Sequence, residues 1–142
     1  MTTTPDLETD LATRLAARLT AGTLTLGTDL FGGPERPSTG AVPMRAVFVL
    51  RAGERQTIYG GGSFREHQMA ILVRGKRDEY AATEVLVRAI QDALDLAGGF
   101  TGASAGTAYT DTRVEGAPIY LEQGHDDPHY VSINVSLWHD DG

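Results

Sequence analysis

The chain has 142 residues and a net charge of −7, from 12 Lys and Arg against 19 Asp and Glu. This length fits one domain, and the absence of cysteine excludes disulfides and thiolate chemistry. No apolar run reaches the roughly 18 residues of a membrane helix, the acidic start is unlike a signal peptide, and the acidic balance argues against a phosphate-binding nucleic-acid protein.

Two segments have the apolar spacing of amphipathic helices. In the first, Thr4–Gly22, leucines recur at every fourth position, Thr4 can cap the helix and Pro5 suits its first turn. In the second, which runs from Arg77 or Asp78 to Ala97, a wide apolar stripe lies opposite a charged face on which Glu84 and Arg88 have the favourable i,i+4 spacing.

The remaining segments read as strands and loops. Arg45–Arg51 is rich in β-branched and aromatic residues on both faces, and Tyr130–Trp138 alternates between apolar and polar residues. Further strands are predicted at 23–28, 67–74, 107–114 and 118–123. Long loops are predicted at 32–43 and 52–66, and a flexible acidic end at 139–142.

These elements predict an α+β fold for a single domain, residues 1–142. We expect a two-layer sandwich, with a mixed or antiparallel sheet of about four to five strands and two main helices on one face. One helix layer covers only one sheet face, whereas Arg45–Arg51 is apolar on both. We therefore expect long loops or a neighbouring subunit to cover the second face.

Two glycine-containing motifs lack the context that their chemistry needs. Gly102–Gly106 matches G-x-S-x-G, but a nucleophile elbow lies between a strand and a following helix, and here a helix precedes and a strand follows. Gly60–Gly62 is followed by neither a helix start nor a lysine, which a phosphate-binding loop requires. We expect no catalytic residue and no cofactor, and we interpret the protein as not being an enzyme.

A histidine- and aspartate-rich segment precedes the last strand. His125, Asp127 and His129 are residue types that bind zinc, manganese or iron. The segment contains Pro128 and is expected to form a turn, in which neighbouring side chains diverge. We expect a solvated turn and no metal, and we keep a small metal-dependent enzyme or binding domain as an alternative.

Candidate interface residues lie on the last predicted strand and in the predicted 52–66 loop. Tyr130, Asn134 and Trp138 share the less apolar face of the last strand, and exposed aromatic side chains supply many interface hot spots. The alternative is that this face packs on the chain's own loops. The candidates in the glycine-rich loop are Tyr59, Gly60, Gly61, Gly62 and Phe64.

Three stretches together give the chain a family resemblance. They are the N-terminal helix with its short strand and Gly/Pro-rich loop, the strand-to-helix unit His67–Leu94, and the polar turn and strand Gly124–His139. In these stretches, which span roughly Leu7 to Trp138, the chain resembles the tail terminators of long-tailed bacteriophages. These proteins are also described as minor capsid or head–tail joining proteins.

The resemblance implies a structural virion protein that acts through assembly. It implies a homohexameric ring that caps the tail tube, ends tail polymerisation and offers a docking surface to the head. The implied partners are further copies, the tail tube protein and a neck or head-completion protein. Genome DNA would pass the lumen without specific binding, and no membrane is involved. The implied location is the tail–head junction of a virion assembled in the host bacterial cytoplasm. A head–tail connector or tail-completion protein of the neck is the alternative.

Overall fold

A computed structural model describes residues 6–20, 23–33, 45–56, 64–76, 78–95, 99–102, 106–121 and 129–140. These residues form two helices, α1 (Leu7–Arg18) and α2 (Tyr80–Asp95). They also form seven strands: β1 (Leu30–Gly32), β2 (Ala46–Gln56), β3 (Phe64–Gly75), β4 (Phe100–Thr101), β5 (Ala108–Val114), β6 (Ile119–Leu121) and β7 (His129–Asp140). Neither described helix is long and apolar enough to cross a membrane.

The strands form one curled, mixed sheet in the order β1-β2-β3-β7-β5-β4, with β6 also paired to β7. The β1–β2 pair is parallel, and every other pair is antiparallel. The predicted sandwich of four to five strands is therefore wrong, because the described sheet has seven strands and curls into a half-barrel.

The centre of the sheet is the ladder between β3 and β7. It runs without a bulge from the Phe64–Asp140 pair to the Gly75–His129 pair. Since side chains alternate along a strand, this register sends Ile71 and Ile133 to one face and Leu72 and Ser132 to the other.

Both helices pack on the face that carries Ile71 and Ile133, the helix face. One apolar cluster joins the helices to the sheet, and full burial of each large side chain contributes about 1.5–3 kcal/mol. Its largest fully buried members are Leu11, Leu15, Leu30, Val47, Val49, Met69, Ile71, Leu86, Ile90, Leu94, Ile133 and Leu137.

The helix ends differ from those predicted. The N-cap of α1 is Asp6, whose side chain accepts a hydrogen bond from the Thr9 backbone N–H at 3.1 Å. The sequence predicts the N-cap at Thr4, because Thr, like Asp, is a preferred N-cap residue and Pro5 follows it. The predicted i,i+4 pair of α2 is confirmed, with Arg88 donating to Glu84 at 3.1 Å.

Several predicted loops are shorter in the structure. β2 continues through a bulge between Arg51 and Gly53 as far as Gln56, and β3 begins at Phe64, so only 57–63 of the predicted 52–66 loop lies outside the described residues. Of the 32–43 loop, residues 34–43 lie outside them. The flexible acidic end was predicted to begin at residue 139, and this start is wrong, because His139 and Asp140 belong to β7.

The first strand is displaced from its predicted position at 23–28. That segment forms a turn that bridges to Leu30, and the strand is Leu30–Gly32. β4 lies in a segment for which the sequence predicted no strand. Both strands are too short to show an apolar period, so no sequence pattern marks them.

β5 and β6 act as one interrupted strand. Both pair with β7, β5 with its residues 135–139 and β6 with its residues 130–132. Between them the chain bulges, with the Glu115 N–H bonded to the Asn134 carbonyl at 2.8 Å and Gly116 at φ +74°. The bulge separates β6 from β5 as a short edge of its own.

Gly32 allows α1 to lie against β1, and this contact can be tested. A Cβ at position 32 would lie 2.8 Å from the Thr9 backbone N and Cα. We expect Gly32→Ala to lower the free energy of unfolding by about 1–3 kcal/mol, because the helix must move away. Urea unfolding measures this loss.

The matched control is Gly106→Asn. Gly106 has φ +65° and open space around its Cβ position, and Asn tolerates this backbone region. We expect this variant to lose at most about 1 kcal/mol of stability, less than Gly32→Ala, because only the positive φ opposes the side chain. Equal stability of Gly32→Ala and the unaltered chain would contradict the close packing of α1 on β1.

Candidate functional site

The structure places the candidate interface residues of the last strand on one sheet face. Tyr130, Asn134 and Trp138 lie on the face opposite the helices, the second face, and all three are half-buried. The predicted sharing of a face by these residues is confirmed, and their use as an interface stays a prediction.

The β1–β3 part of the second face is apolar. Phe31 and Phe48 are paired across β1 and β2, and their rings stack with centroids 5.6 Å apart. Leu72 continues the row on β3, and the Arg74 guanidinium lies 5.5 Å from the Phe48 ring centre. Phe31, Ala46 and Phe48 are buried, so the prediction that something covers the second face holds for this part.

The other end of the second face is polar. Glu66 is buried, and its carboxylate accepts hydrogen bonds from the Ser136 hydroxyl at 3.1 Å and the Gln68 amide at 3.0 Å. Trp138 lies beside Glu66 in the register, and its indole N–H is buried without a hydrogen-bond partner among the described residues. The second face therefore changes from apolar to polar along its strands.

The loop candidates lie mostly outside the described residues. Tyr59, Gly60, Gly61 and Gly62 fall in the 57–63 gap. Phe64 is the first residue of β3, where it pairs with Asp140. Their proposed contact role stays a prediction.

In the described part of the chain, β6 is the one run of three consecutive large apolar residues that are all exposed. Ile119, Tyr120 and Leu121 are 49%, 59% and 43% exposed. Ile119 and Leu121 lie on the second face, and Tyr120, paired with Val131, lies on the helix face. This edge was not among the sites predicted from the sequence. The sequence feature that could have identified it is a run of three large apolar residues without alternation. Such a run cannot be buried on a single face of a sheet.

A chain of buried polar side chains crosses the helix face. The Tyr109 hydroxyl donates to the Asp10 carboxylate at 2.5 Å, and the Tyr109 ring packs edge-on against His139. His139 and His67 stack with their Nε2 atoms 2.8 Å apart, so one nitrogen donates and the other accepts. This chain ties α1 to β5, β7 and β3.

Burial is the main cause that raises the pKa of Tyr109, followed by its hydrogen bond to Asp10 and the negative charge of that carboxylate. Gly102 makes the contact possible, since a Cβ there would overlap the Asp10 carboxylate and the Tyr109 ring. The pair therefore keeps the phenol protonated and gives the buried carboxylate a donor.

The candidate metal ligands are not brought together by the described residues. His125 and Asp127 lie in the 122–128 gap. His129 is buried, with its Nε2 atom 2.6 Å from the Thr83 hydroxyl and its ring stacked on Tyr80 at 4.3 Å. Within the described ranges, no group of three or more His, Asp or Glu side chains could hold a metal ion.

Comparisons with known proteins give a fold likeness. No protein-family model and no curated protein matches the sequence. Among solved structures, the chain is similar to one from the virion of a native gene transfer agent particle, with a TM-score of 0.68 and 14% identity over 94% of both chains. At this identity the likeness shows a shared fold, which extends over nearly the whole of each chain.

The Asp10–Tyr109 hydrogen bond predicts a specific loss of stability. We expect Tyr109→Phe to lower the free energy of unfolding by about 1–3 kcal/mol near pH 7, because the buried carboxylate loses a donor. Because the folded-state pKa is raised, this tyrosine stabilises the fold below the ordinary pKa of 10.0, and the contribution falls as pH rises above it.

Urea unfolding at about pH 8 and about pH 11 measures both effects. The stability difference between the unaltered chain and Tyr109→Phe should narrow at the higher pH. Tyr120→Phe is the matched control, since Tyr120 is 59% exposed and should show neither effect. A difference that stays constant between the two pH values would contradict the protonated buried phenol.

Proposed function

We propose that this chain is a structural protein of a phage-like virion, and that it forms the ring that ends the tail tube and receives the head. The observation that carries the proposal is the fold shared with a virion chain over 94% of both chains. A likeness over whole chains, without a large unmatched domain on either side, supports a comparable role as a single building block.

The surface of the chain supports a role in assembly. An exposed three-residue edge of large apolar side chains is costly for an isolated protein and typical of a contact between proteins. The half-buried Tyr130, paired with Leu121, adds aromatic surface to the second face beside this edge, and Trp138 lies on the same face farther along β7.

The position at the end of the tail rests on the sequence resemblance. The stretches His67–Leu94 and Gly124–His139 resemble tail terminators, whereas the structural likeness is to one virion chain and by itself assigns no position within a particle. A terminator must close on itself as a ring, because head-to-tail contacts that do not close produce open filaments. We propose a ring of six copies that contacts the tail tube protein on one side and a neck or head-completion protein on the other.

Removal of the protein from its particle tests this role. We expect deletion of the coding sequence to abolish joined particles and to leave overlong tail tubes beside DNA-filled heads, because nothing stops tube growth. Negative-stain electron microscopy measures tube length and the joined fraction, and the intact chain supplied in trans is the control. Tubes of normal length that fail to join heads would support a connector instead, and normal particles would contradict both.

The net charge of −7 predicts how the ring interacts with genomic DNA. Six acidic copies around a lumen repel DNA phosphates, which lets DNA pass without being held. We expect the dissociation constant for a short DNA duplex to exceed about 10⁻⁴ M at about 0.15 M salt. Fluorescence anisotropy of a labelled duplex measures it.

A charge-reversed variant is the control for that titration. Glu79, Asp92 and Glu115 are exposed, and changing all three to Lys brings the net charge from −7 to −1. This variant should bind the duplex more tightly than the unaltered chain does, and salt should weaken its binding. Micromolar binding by the unaltered chain at the same salt would contradict a surface that does not retain DNA.

A further inference from the structure

Two edges of the described sheet carry complementary apolar features. At one edge, β6, which pairs with β7 beside β5, exposes Ile119, Tyr120 and Leu121, which we call the β6 ridge. At the opposite edge, beside β1, lies a pocket of about 180 Å³, the β1 pocket, lined by Thr9, Leu26, Gly27, Leu30, Phe31 and Gly32. Ligand sites usually exceed about 300 Å³, so this pocket fits one large side chain better than a small molecule.

Both features are electrically neutral in an acidic chain. The segment Gly116–Leu121 contains no charged residue, and neither does the lining of the β1 pocket. Copies that each carry −7 repel one another, so a contact between them is least costly where both surfaces lack charge. This favours a second copy of the same chain as the occupant of the pocket.

The faces of the sheet also match. Tyr120 lies on the helix face of β6, and the β1 pocket opens between Thr9 of α1 and Leu30, a residue of the helix-face core. When two sheets meet edge to edge with their helices on the same side, Tyr120 of one copy faces the pocket of the next. Ile119 and Leu121 then face the side of β1 that carries Phe31.

The β1 edge receives side chains rather than a new strand. At Leu30, the N–H already donates to the Thr25 carbonyl at 3.2 Å, and the carbonyl accepts from the Gly27 N–H at 2.8 Å. An incoming strand would have to displace this turn to continue the ladder. The contact therefore depends on apolar burial in the pocket.

We propose that the β6 ridge of each copy inserts Tyr120 into the β1 pocket of the next, giving the repeated contact of the ring; this inference rests on the proposed function. The contact is heterologous, because two different patches meet, and it closes into a ring when rotation returns the last copy to the first. At roughly 200 Å² per large side chain, the exposed ridge amounts to about 300 Å². Since stable pairs bury about 800 Å² per partner, isolated pairs dissociate readily.

Cysteine cross-linking tests the contact directly, because the chain contains no cysteine of its own. In a Leu26→Cys, Tyr120→Cys double variant, a short bismaleimide spans the space left by the tyrosine ring. We expect a ladder of covalent oligomers that ends at one closed species, both in particles and in concentrated protein. Denaturing gels and mass photometry measure the ladder, and circular dichroism verifies that the variants fold.

Single variants and a displaced pair give the controls. Val85, 70% exposed on α2, replaces Tyr120 in the Leu26→Cys, Val85→Cys pair, which should yield no ladder. A ladder from that pair instead would overturn the proposal and assign the contact to α2. Dimers from Tyr120→Cys alone, without a ladder from the double variant, would also overturn it. The β6 ridge of one copy would then contact the β6 ridge of another.

The outcome is separable from that of the deletion experiment. A ladder together with normal particles after deletion would support the contact between copies and contradict the virion role. Overlong tubes after deletion, with no ladder from the double variant in particles, would support the role and contradict the ridge-to-pocket contact.

Discussion

The pairing of β3 with β7 is the constraint on which the rest of the structure depends. Its bulge-free register fixes which side chains reach each face from Phe64 to Gly75 and from His129 to Asp140. A shift of one residue would move Ile71 and Ile133 out of the core and bring Glu66 into it. The same register places His67 within hydrogen-bonding distance of His139 and leaves Glu66 beside Ser136 on the second face.

The sequence predicts an element correctly where a single apolar period dominates it. The alternation of Tyr130–Trp138 predicted β7 and its faces, and the apolar stripe of the second helix predicted α2. The sequence does not predict β1 and β4, because they have three and two residues, too few for a period. His139 was predicted to belong to an acidic end. Its place in the core depends on the distant Tyr109 and His67, and no local pattern encodes such contacts.

The candidate site was predictable in part. The second face follows from alternation, so Tyr130, Asn134 and Trp138 were found together. The β6 ridge was not, because its exposure depends on the bulge at 115–118, which separates it from β5 and leaves all three side chains unburied. His129 is a residue type that binds metal ions, yet its Nε2 atom lies within hydrogen-bonding distance of the Thr83 hydroxyl. The sequence identifies possible metal ligands, but packing decides which of their atoms could reach a metal.

Weak contacts suit a ring that must form only in one place. With a charge of −7 on each copy, free chains repel one another, and a ridge of about 300 Å² gains too little on its own to hold a pair. Copies gathered on the end of a tube meet at a much higher effective concentration, and closure lets every copy use both its ridge and its pocket. Neutral patches on an acidic chain would thus couple ring formation to the presence of a tail, which a stronger contact between free copies would not do.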